Sequence, residues 1–208
     1  MEGRSRYNIS AKGAGIDSGV LKNKLGIKNQ KALEDAETLL LSDAYVHFFK
    51  KLEKENTHFD LLFLYQINKY FLGPLYTWAG KTRQVNISKD DVLFAPAEFL
   101  ETSLKEFENV LKRNLPTLKD SKKMIAQKLS IVHNELNVLH PFREGNGRTI
   151  RLFLDLIASR AGYETIDWSK TTREQYIDAC RLGMREAHSM MERIIYRGLS
   201  KRLGKGEI

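Results

Sequence analysis

Twelve consecutive residues concentrate the reactive chemistry of this 208-residue chain: His140-Pro141-Phe142-Arg143-Glu144-Gly145-Asn146-Gly147-Arg148-Thr149-Ile150-Arg151. An apolar helical stripe stops at Leu139, and Pro141 cannot continue a helix and restrains the residue before it. Gly145 and Gly147 permit tight turns and leave backbone amides uncovered. A new helix is expected from about Gly147, so its unpaired N–H groups and positive dipole end face the same loop. That combination cradles an anion, and phosphate is its usual occupant. Arg148 and Arg151 are three apart, share one helix face, and can grip phosphate oxygens with planar forks. Glu144 is a lone carboxylate beside the cradle, which suits Mg²⁺, a cation that takes one or two carboxylates and completes its octahedron with phosphates and water. His140 titrates near neutrality and suits the general base for a hydroxyl nucleophile. These parts together can position a Mg²⁺-nucleotide and deprotonate an attacking hydroxyl, which is most of what phosphoryl-type transfer needs. Phe142 is expected to anchor the loop in the core. His47, His58, His133 and His188 stand outside this stretch and read as structural.

The positioning elements follow from periodicity. Residues 29–55 place Leu33, Ala36, Leu40, Ala44 and Phe48 on one helical face, and a second helix over 59–72 is stopped by Gly73-Pro74. Val85, Ile87, Val92, Leu93 and Phe94 surround the polar turn Ser88-Lys89-Asp90-Asp91, which predicts a β-hairpin. Helical spacing returns at 97–114 and at 121–139, where Ile125, Leu129, Val132, Leu136 and Leu139 form a buried stripe. A helix over 147–161 and one or two more within 171–203 complete the pattern. Residues 1–20, rich in Gly and Ser, read as an irregular lead-in and 204–208 as a tail. With no repeat and no long linker, the expectation is one mostly α-helical domain over 21–203 carrying a small hairpin.

Composition narrows the class. Hydrophobic residues at 42% and charged residues at 29% suffice for a closed core, so disorder of the whole chain is excluded. The longest apolar run, Leu61 to Tyr65, is far short of the ~18 residues a membrane span needs. No apolar stretch follows Met1 to Arg6 as a secretory signal would require. Cys180 is the only cysteine, which excludes an internal disulfide and a four-cysteine zinc site and favours a reducing cytoplasm. It is expected to be a small buried hydrophobe. The chain carries 34 basic and 26 acidic side chains, a net charge of +8. Arg193, Arg197, Lys201, Arg202 and Lys205 read as the solvated face of a terminal helix and its tail, and no zinc-finger or RRM spacing makes nucleic acid the expected partner.

His140 to Arg151 matches without substitution the signature His-x-Phe-x-(Asp/Glu)-Gly-Asn-Gly-Arg-x-x-Arg, and here the chain resembles the Fic (filamentation induced by cAMP) family. Leu21-Lys22-Asn23-Lys24-Leu25-Gly26-Ile27 looks like the N-terminal segment of bacterial cell-filamentation members. Tyr76-Thr77-Trp78-Ala79-Gly80-Lys81-Thr82-Arg83 looks like the family's Tyr-x-Trp-Ala-Gly-x-x-Arg stretch, which leads into a hairpin flap. The resemblance implies an all-α Fic-type helical domain with a small β-hairpin flap. It implies a protein adenylyltransferase that moves AMP from ATP, with Mg²⁺, onto a Tyr, Ser or Thr hydroxyl of a target protein and releases pyrophosphate. By position, His140 would be the base, Glu144 the metal ligand, and Gly145, Asn146 and Gly147 the α/β-phosphate cradle. Arg148 would hold the bridging phosphates and Arg151 the γ-phosphate. The flap, Asn86, Ile87, Ser88, Lys89, Asp90, Asp91, Val92, Leu93 and Phe94, would dock the target by strand addition.

Two departures inside the family carry information. The Doc-like kinases have Lys where this chain has Gly147, which argues against transfer of the γ-phosphate. The inhibitory (Ser/Thr)-x-x-x-Glu-(Gly/Asn) pattern is incomplete here, because its best match, Thr102 to Glu106, is followed by Phe107. That resembles the branch in which a separate small antitoxin supplies the glutamate. The competing readings are a module that binds nucleotide or nucleic-acid phosphate without transfer, and a transferase using another phosphate-containing donor.

Overall fold

The computed structural model describes residues 8–9, 16–17, 20–89 and 92–202. Asp90 and Asp91 of the expected flap turn, most of the lead-in, Lys205 and the tail lie outside the described residues. Along the chain run β1 (Asn8–Ile9), β2 (Ile16–Asp17), β3 (Val20–Leu21), α1 (Gln30–Lys54), α2 (Leu61–Leu72), β4 (Ile87–Lys89) and β5 (Val92–Leu93). They are followed by α3 (Leu100–Asn114), α4 (Lys122–Leu139), α5 (Asn146–Arg160), α6 (Arg173–Gly183) and α7 (Ser189–Gly198). The architecture is the expected all-α one with a small hairpin. It divides into two compact units, one running to Lys105 and including Leu139–Thr149, the other comprising Glu106–Val138 and Ile150 onward.

The first unit is built on α1 and α2. Asn29 caps α1 by accepting the Ala32 N–H at 2.9 Å, and Asp60 caps α2 by accepting the Phe63 N–H at 2.8 Å. Each cap satisfies an orphan donor of the first turn, a contribution of about 1 kcal/mol. Phe48 of α1 meets Phe63 of α2 edge-on at 5.5 Å, and Phe63, Ile67 and Phe71 are buried with it. Burying such side chains stabilises by about 1.5–3 kcal/mol each. The α1 face differs from the expected one. Leu33, Ala44 and Phe48 are buried, whereas Ala36 and Leu40 are half-buried and Glu37 takes a buried place among them. Residues 33, 37, 44 and 48 fall on one line of the helix, so burying that line buries whatever occupies position 37.

Two short sheets complete this unit. β4 and β5 form the expected antiparallel hairpin, with Ser88 opposite Leu93 and Lys89 opposite Val92. β1 pairs antiparallel on the other edge of β4, Asn8 opposite Ser88 and Ile9 opposite Ile87. β2 and β3 pair separately, Asp17 opposite Val20. Strand pairing thus enters a segment read from its Gly and Ser content as irregular; a hydrogen-bonding partner about eighty residues away leaves no local trace in composition. Asn23 shapes the next turn, its Nδ2 donating to the Ile27 carbonyl and its Oδ1 accepting the Ile27 N–H.

In the second unit α4 buries Ile125, Leu129, Val132 and Leu136 completely, as the stripe requires. Leu152, Phe153, Leu154, Leu156 and Ile157 of α5 are all buried, which marks a helix enclosed on every side. Asp155 accepts the Ile166 N–H at 3.0 Å and the Trp168 indole N–H at 3.3 Å, tying the following loop to α5. Thr172 and Gln175 form a capping box that starts α6. Cys180, expected to be buried, is half-buried on α6. Among the described residues no helix is long and apolar enough to cross a membrane.

Candidate active site

The loop from Leu139 to Gly145 owes its shape to Arg83, a buried guanidinium. Its Nε donates to the His140 carbonyl at 2.8 Å and one Nη to the Leu139 carbonyl at 3.2 Å, while its backbone N–H donates to the Pro141 carbonyl at 2.8 Å. The other Nη donates to the Val85 carbonyl at 2.8 Å, and Ala95 accepts a further bond, so the same side chain grips both stems of the hairpin. Burial lowers its pKa to about 10, still far above neutrality. This grip explains how His140 can hold a φ of +46°, a left-handed conformation costing a non-glycine residue about 1–3 kcal/mol unless its surroundings over-determine it.

His140 is 5% exposed, and its ring is stacked on Phe94 at 3.7 Å between centroids and 18° between planes. The residue at the end of the hairpin therefore rests directly on the candidate base. Phe142 is fully buried, as expected, with the Tyr65 ring edge-on at 5.3 Å. Asn146 closes the loop: its Oδ1 accepts the Phe142 N–H at 2.8 Å and its Nδ2 donates to the Phe142 carbonyl at 2.7 Å. Its side chain is thereby spent on loop shape, and what it can offer a phosphate is its N–H in the first turn of α5.

The two glycines differ. Gly145 has a φ of +76°, and a Cβ there would stand 2.7 Å from Leu72 Cδ1 and 3.2 Å from Phe71 Cε1. Both the backbone and the close approach of α2 require it to be glycine. Gly147 lies within α5 with no positive φ, and a Cβ there would meet nothing within 4 Å. The tight turn expected at Gly147 is thus made at Gly145 alone, because α5 begins one residue earlier, at Asn146. Asn68 of α2 braces this corner, accepting the Gly80 N–H at 2.8 Å and donating to Thr149 Oγ1 at 3.1 Å.

Three charged groups converge at the start of α5. Glu144, 3% exposed, accepts the Gly145 N–H on Oε1 at 2.8 Å, and Arg148 Nη2 lies 3.5 Å from the same oxygen. Arg148 Nη1 donates to Glu37 Oε2 at 2.7 Å, and the guanidinium lies 4.9 Å over the Phe71 ring. The Tyr76 hydroxyl donates to Glu37 Oε1 at 2.6 Å; burial first, and that bond second, push its pKa well above the usual phenol range. One carboxylate backed by a loop amide is a donor set that fits a Mg²⁺ otherwise coordinated by nucleotide oxygens and water.

In the second unit Arg151 lies with its guanidinium 5.6 Å from the Tyr176 ring centroid. Tyr176 Oη is 2.8 Å from His133 Nε2, and His133 Nδ1 is 3.0 Å from Asn134 Oδ1. Burial pushes the His133 pKa down to about 4, so the ring is neutral at physiological pH. Among the described residues of that unit no carboxylate pairs with Arg151. Thr102 and Glu106, the incomplete inhibitory match, are both exposed on α3.

The structure thus brings His140, Glu144, Gly145, Asn146, Gly147 and Arg148 into one corner with Phe94 of the flap, and sets Arg151 on Tyr176. Glu37, Asn68 and the role of Arg83 escape the sequence reading. A charged residue inside an apolar helical stripe is the one signal that could have drawn attention to Glu37.

Residues 58–158 match the Fic/DOC family model. The chain is similar to the protein adenylyltransferase VbhT of Bartonella schoenbuchensis, 36% identical over 89% of this chain and 38% of that protein. A probable protein adenylyltransferase, y4lH of Sinorhizobium fredii, is 31% identical over 77% of this chain and 81% of its own length. The chain belongs to the Fic/DOC family. In fold it is similar to the BepC protein of Bartonella tribocorum, a VirB-translocated effector crystallised with bound AMPPNP, which superposes with a TM-score of 0.73 at 26% identity, over 88% of this chain and 94% of that one. The chain spans well under half the length of VbhT and most of the length of y4lH.

Proposed function

We propose that this Fic protein is a protein adenylyltransferase that moves AMP from ATP to a hydroxyl side chain of a target protein. The observation that carries this reading is the buried His140, held by Arg83 and stacked under Phe94, in the same corner as the Gly145 turn and the first-turn amides of α5. A hydroxyl oxygen attacks the α-phosphorus of ATP, the bond to the bridging oxygen of the β-phosphate breaks, and pyrophosphate leaves. His140 takes the hydroxyl proton. The amides of Asn146 and Gly147 hold α/β-phosphate oxygens at the helix N-terminus, Arg148 holds the bridging region, and Arg151 holds the γ-phosphate. Glu144 holds Mg²⁺, which when bound supplies positive charge against the phosphates. Gly147 itself, which carries no side chain where the kinases carry Lys, supports AMP transfer over the kinase arrangement. The nucleotide-bound BepC structure and the adenylyltransferase relatives support ATP as the donor.

The target segment adds as a strand to the flap. With β1 on the β4 side of the flap hairpin, the hairpin strand that keeps an open edge for such addition is β5, where Leu93 is 78% exposed. Inhibition comes from a separate small protein that presents a glutamate to Arg151, and the setting is cytoplasmic. His140→Ala tests the central role. The variant is expected to bind ATP within about threefold of wild type and to lose 10²–10⁴-fold in labelling of lysate proteins from radiolabelled ATP, the usual cost of removing a general base. Labelling at the wild-type rate would remove His140 from the reaction. No covalent label with the wild-type protein would favour a phosphate-binding module.

A further inference from the structure

Glu37 lies on α1, 111 residues from Arg148 in sequence, and belongs to no motif of the chain. Its carboxylate is 4% exposed, and both oxygens are engaged, one by the Tyr76 hydroxyl and the other by Arg148 Nη1. Arg148 is itself 12% exposed and is held from three sides, by Glu37, by the Phe71 ring and by the longer contact to Glu144. A buried ion pair is a weak device for stability, since apolar residues of similar volume generally serve a core as well or better. It is a strong device for orientation, because a charge-assisted bond fixes a planar fork with several N–H groups left to point elsewhere. Here the fork it orients stands at the first turn of α5, beside the candidate phosphate cradle.

We infer that Glu37 is a positioning residue for transfer: it anchors one edge of the Arg148 guanidinium so that the remaining N–H groups meet the bridging phosphate oxygens of the bound nucleotide. The inference rests on the reading of Arg148 as a phosphate ligand. It carries a particular signature. Glu37 is negative and subtracts from the positive charge offered to a nucleotide, so neutralising it does not weaken ground-state attraction. It releases the fork, and misplacement by about 1 Å costs on the order of 10²-fold in a positioned reaction. The loss falls on the chemical step.

The experiment is steady-state target labelling by Glu37→Gln in the full chain. The expected result is a 10–100-fold lower kcat with the ATP KM within threefold of wild type. Asp155→Asn, which removes a buried carboxylate that ties the loop at Ile166 and Trp168, serves as the stability control; it is expected to lower Tm while leaving kcat within threefold. A Glu37→Gln variant that keeps its kcat within threefold overturns the inference, as does a kcat loss that Asp155→Asn matches at an equal fall in Tm. Should Glu37→Gln fail to fold, a crystal structure of the wild type with AMPPNP decides. Arg148 bonded at once to Glu37 and to a phosphate oxygen upholds it, and Arg148 released from Glu37 refutes it. Arg148→Ala separates the two layers: if that variant transfers normally, the phosphate role of Arg148 itself falls; if it is silent while Glu37→Gln is fully active, only the role of Glu37 does.

Discussion

At the scale of single residues, burial keeps one histidine of the second unit neutral across the physiological range. His133, completely buried, has its pKa pushed down to about 4 by desolvation first, against the bond its Nδ1 side makes to the Asn134 Oδ1 acceptor and with the nearby Arg151 charge adding to the fall. An unfolded chain binds the same proton at about 6.5. The folded value is the lower one, so the full contribution of His133 is present above pH 6.5 and is lost as pH falls toward 4. Between pH 7.5 and pH 5 the unfolding free energy is expected to drop by about 2 kcal/mol on this account alone. Urea unfolding of wild type and His133→Gln at the two pH values measures it, and a pH-dependence identical in both proteins would show that His133 does not titrate in this window. His140 is set apart from His133 by its place in the loop, its strained backbone and its stacking on Phe94.

At the scale of elements, the site depends on ties between segments that are short and irregular. The hairpin, the loop at 139–141 and their junction share one donor, Arg83, whose fork and backbone N–H reach five carbonyls. Lysine keeps the charge and loses the fork, so Arg83→Lys leaves several buried carbonyls unsatisfied at about 1–3 kcal/mol each, only partly offset by the ammonium. A loss of about 2–4 kcal/mol in unfolding free energy is expected, with transfer falling as His140 loses its brace. Exposed Gln84, next in sequence, is the control: Gln84→Ala is expected to stay within about 0.5 kcal/mol. Chemical denaturation of the two variants checks both values, and near-native stability of Arg83→Lys would mean that the loop is held by other contacts. Gly145→Ala attacks the same corner from α2, through the 2.7 Å approach to Leu72.

At the scale of the whole molecule, the question is what controls the reaction. On the proposed reading, inhibition from within the chain would need a glutamate delivered to Arg151, and the one partial match to the inhibitory pattern places Glu106 in solvent on α3. The purified protein is therefore expected to transfer AMP without truncation, and Glu106→Gly to label targets at the wild-type rate within about twofold. A silent wild type switched on by that single change would place the inhibitor inside this chain and end the reading of a separate one.

Contiguity and period are what the amino-acid sequence by itself determined. The run from His140 to Arg151 could be read as a phosphate cradle with a base because its parts are neighbours along the chain, where turn, helix start and charge obey local rules. The α4 stripe and the hairpin were legible for the same reason, being patterns of three and a half or two residues. Only the tertiary structure decided that Asn146 spends its side chain on Phe142, that Gly145 and not Gly147 needs the positive φ, that Arg83 sustains the strain at His140, and that β1 closes one edge of the flap. Each of these is a contact set by packing between segments far apart in sequence or by the one-residue register at which a helix begins. Glu37 shows the limit most clearly: its composition says solvent, and it is buried because Tyr76 and Arg148, 39 and 111 residues away, meet both of its oxygens.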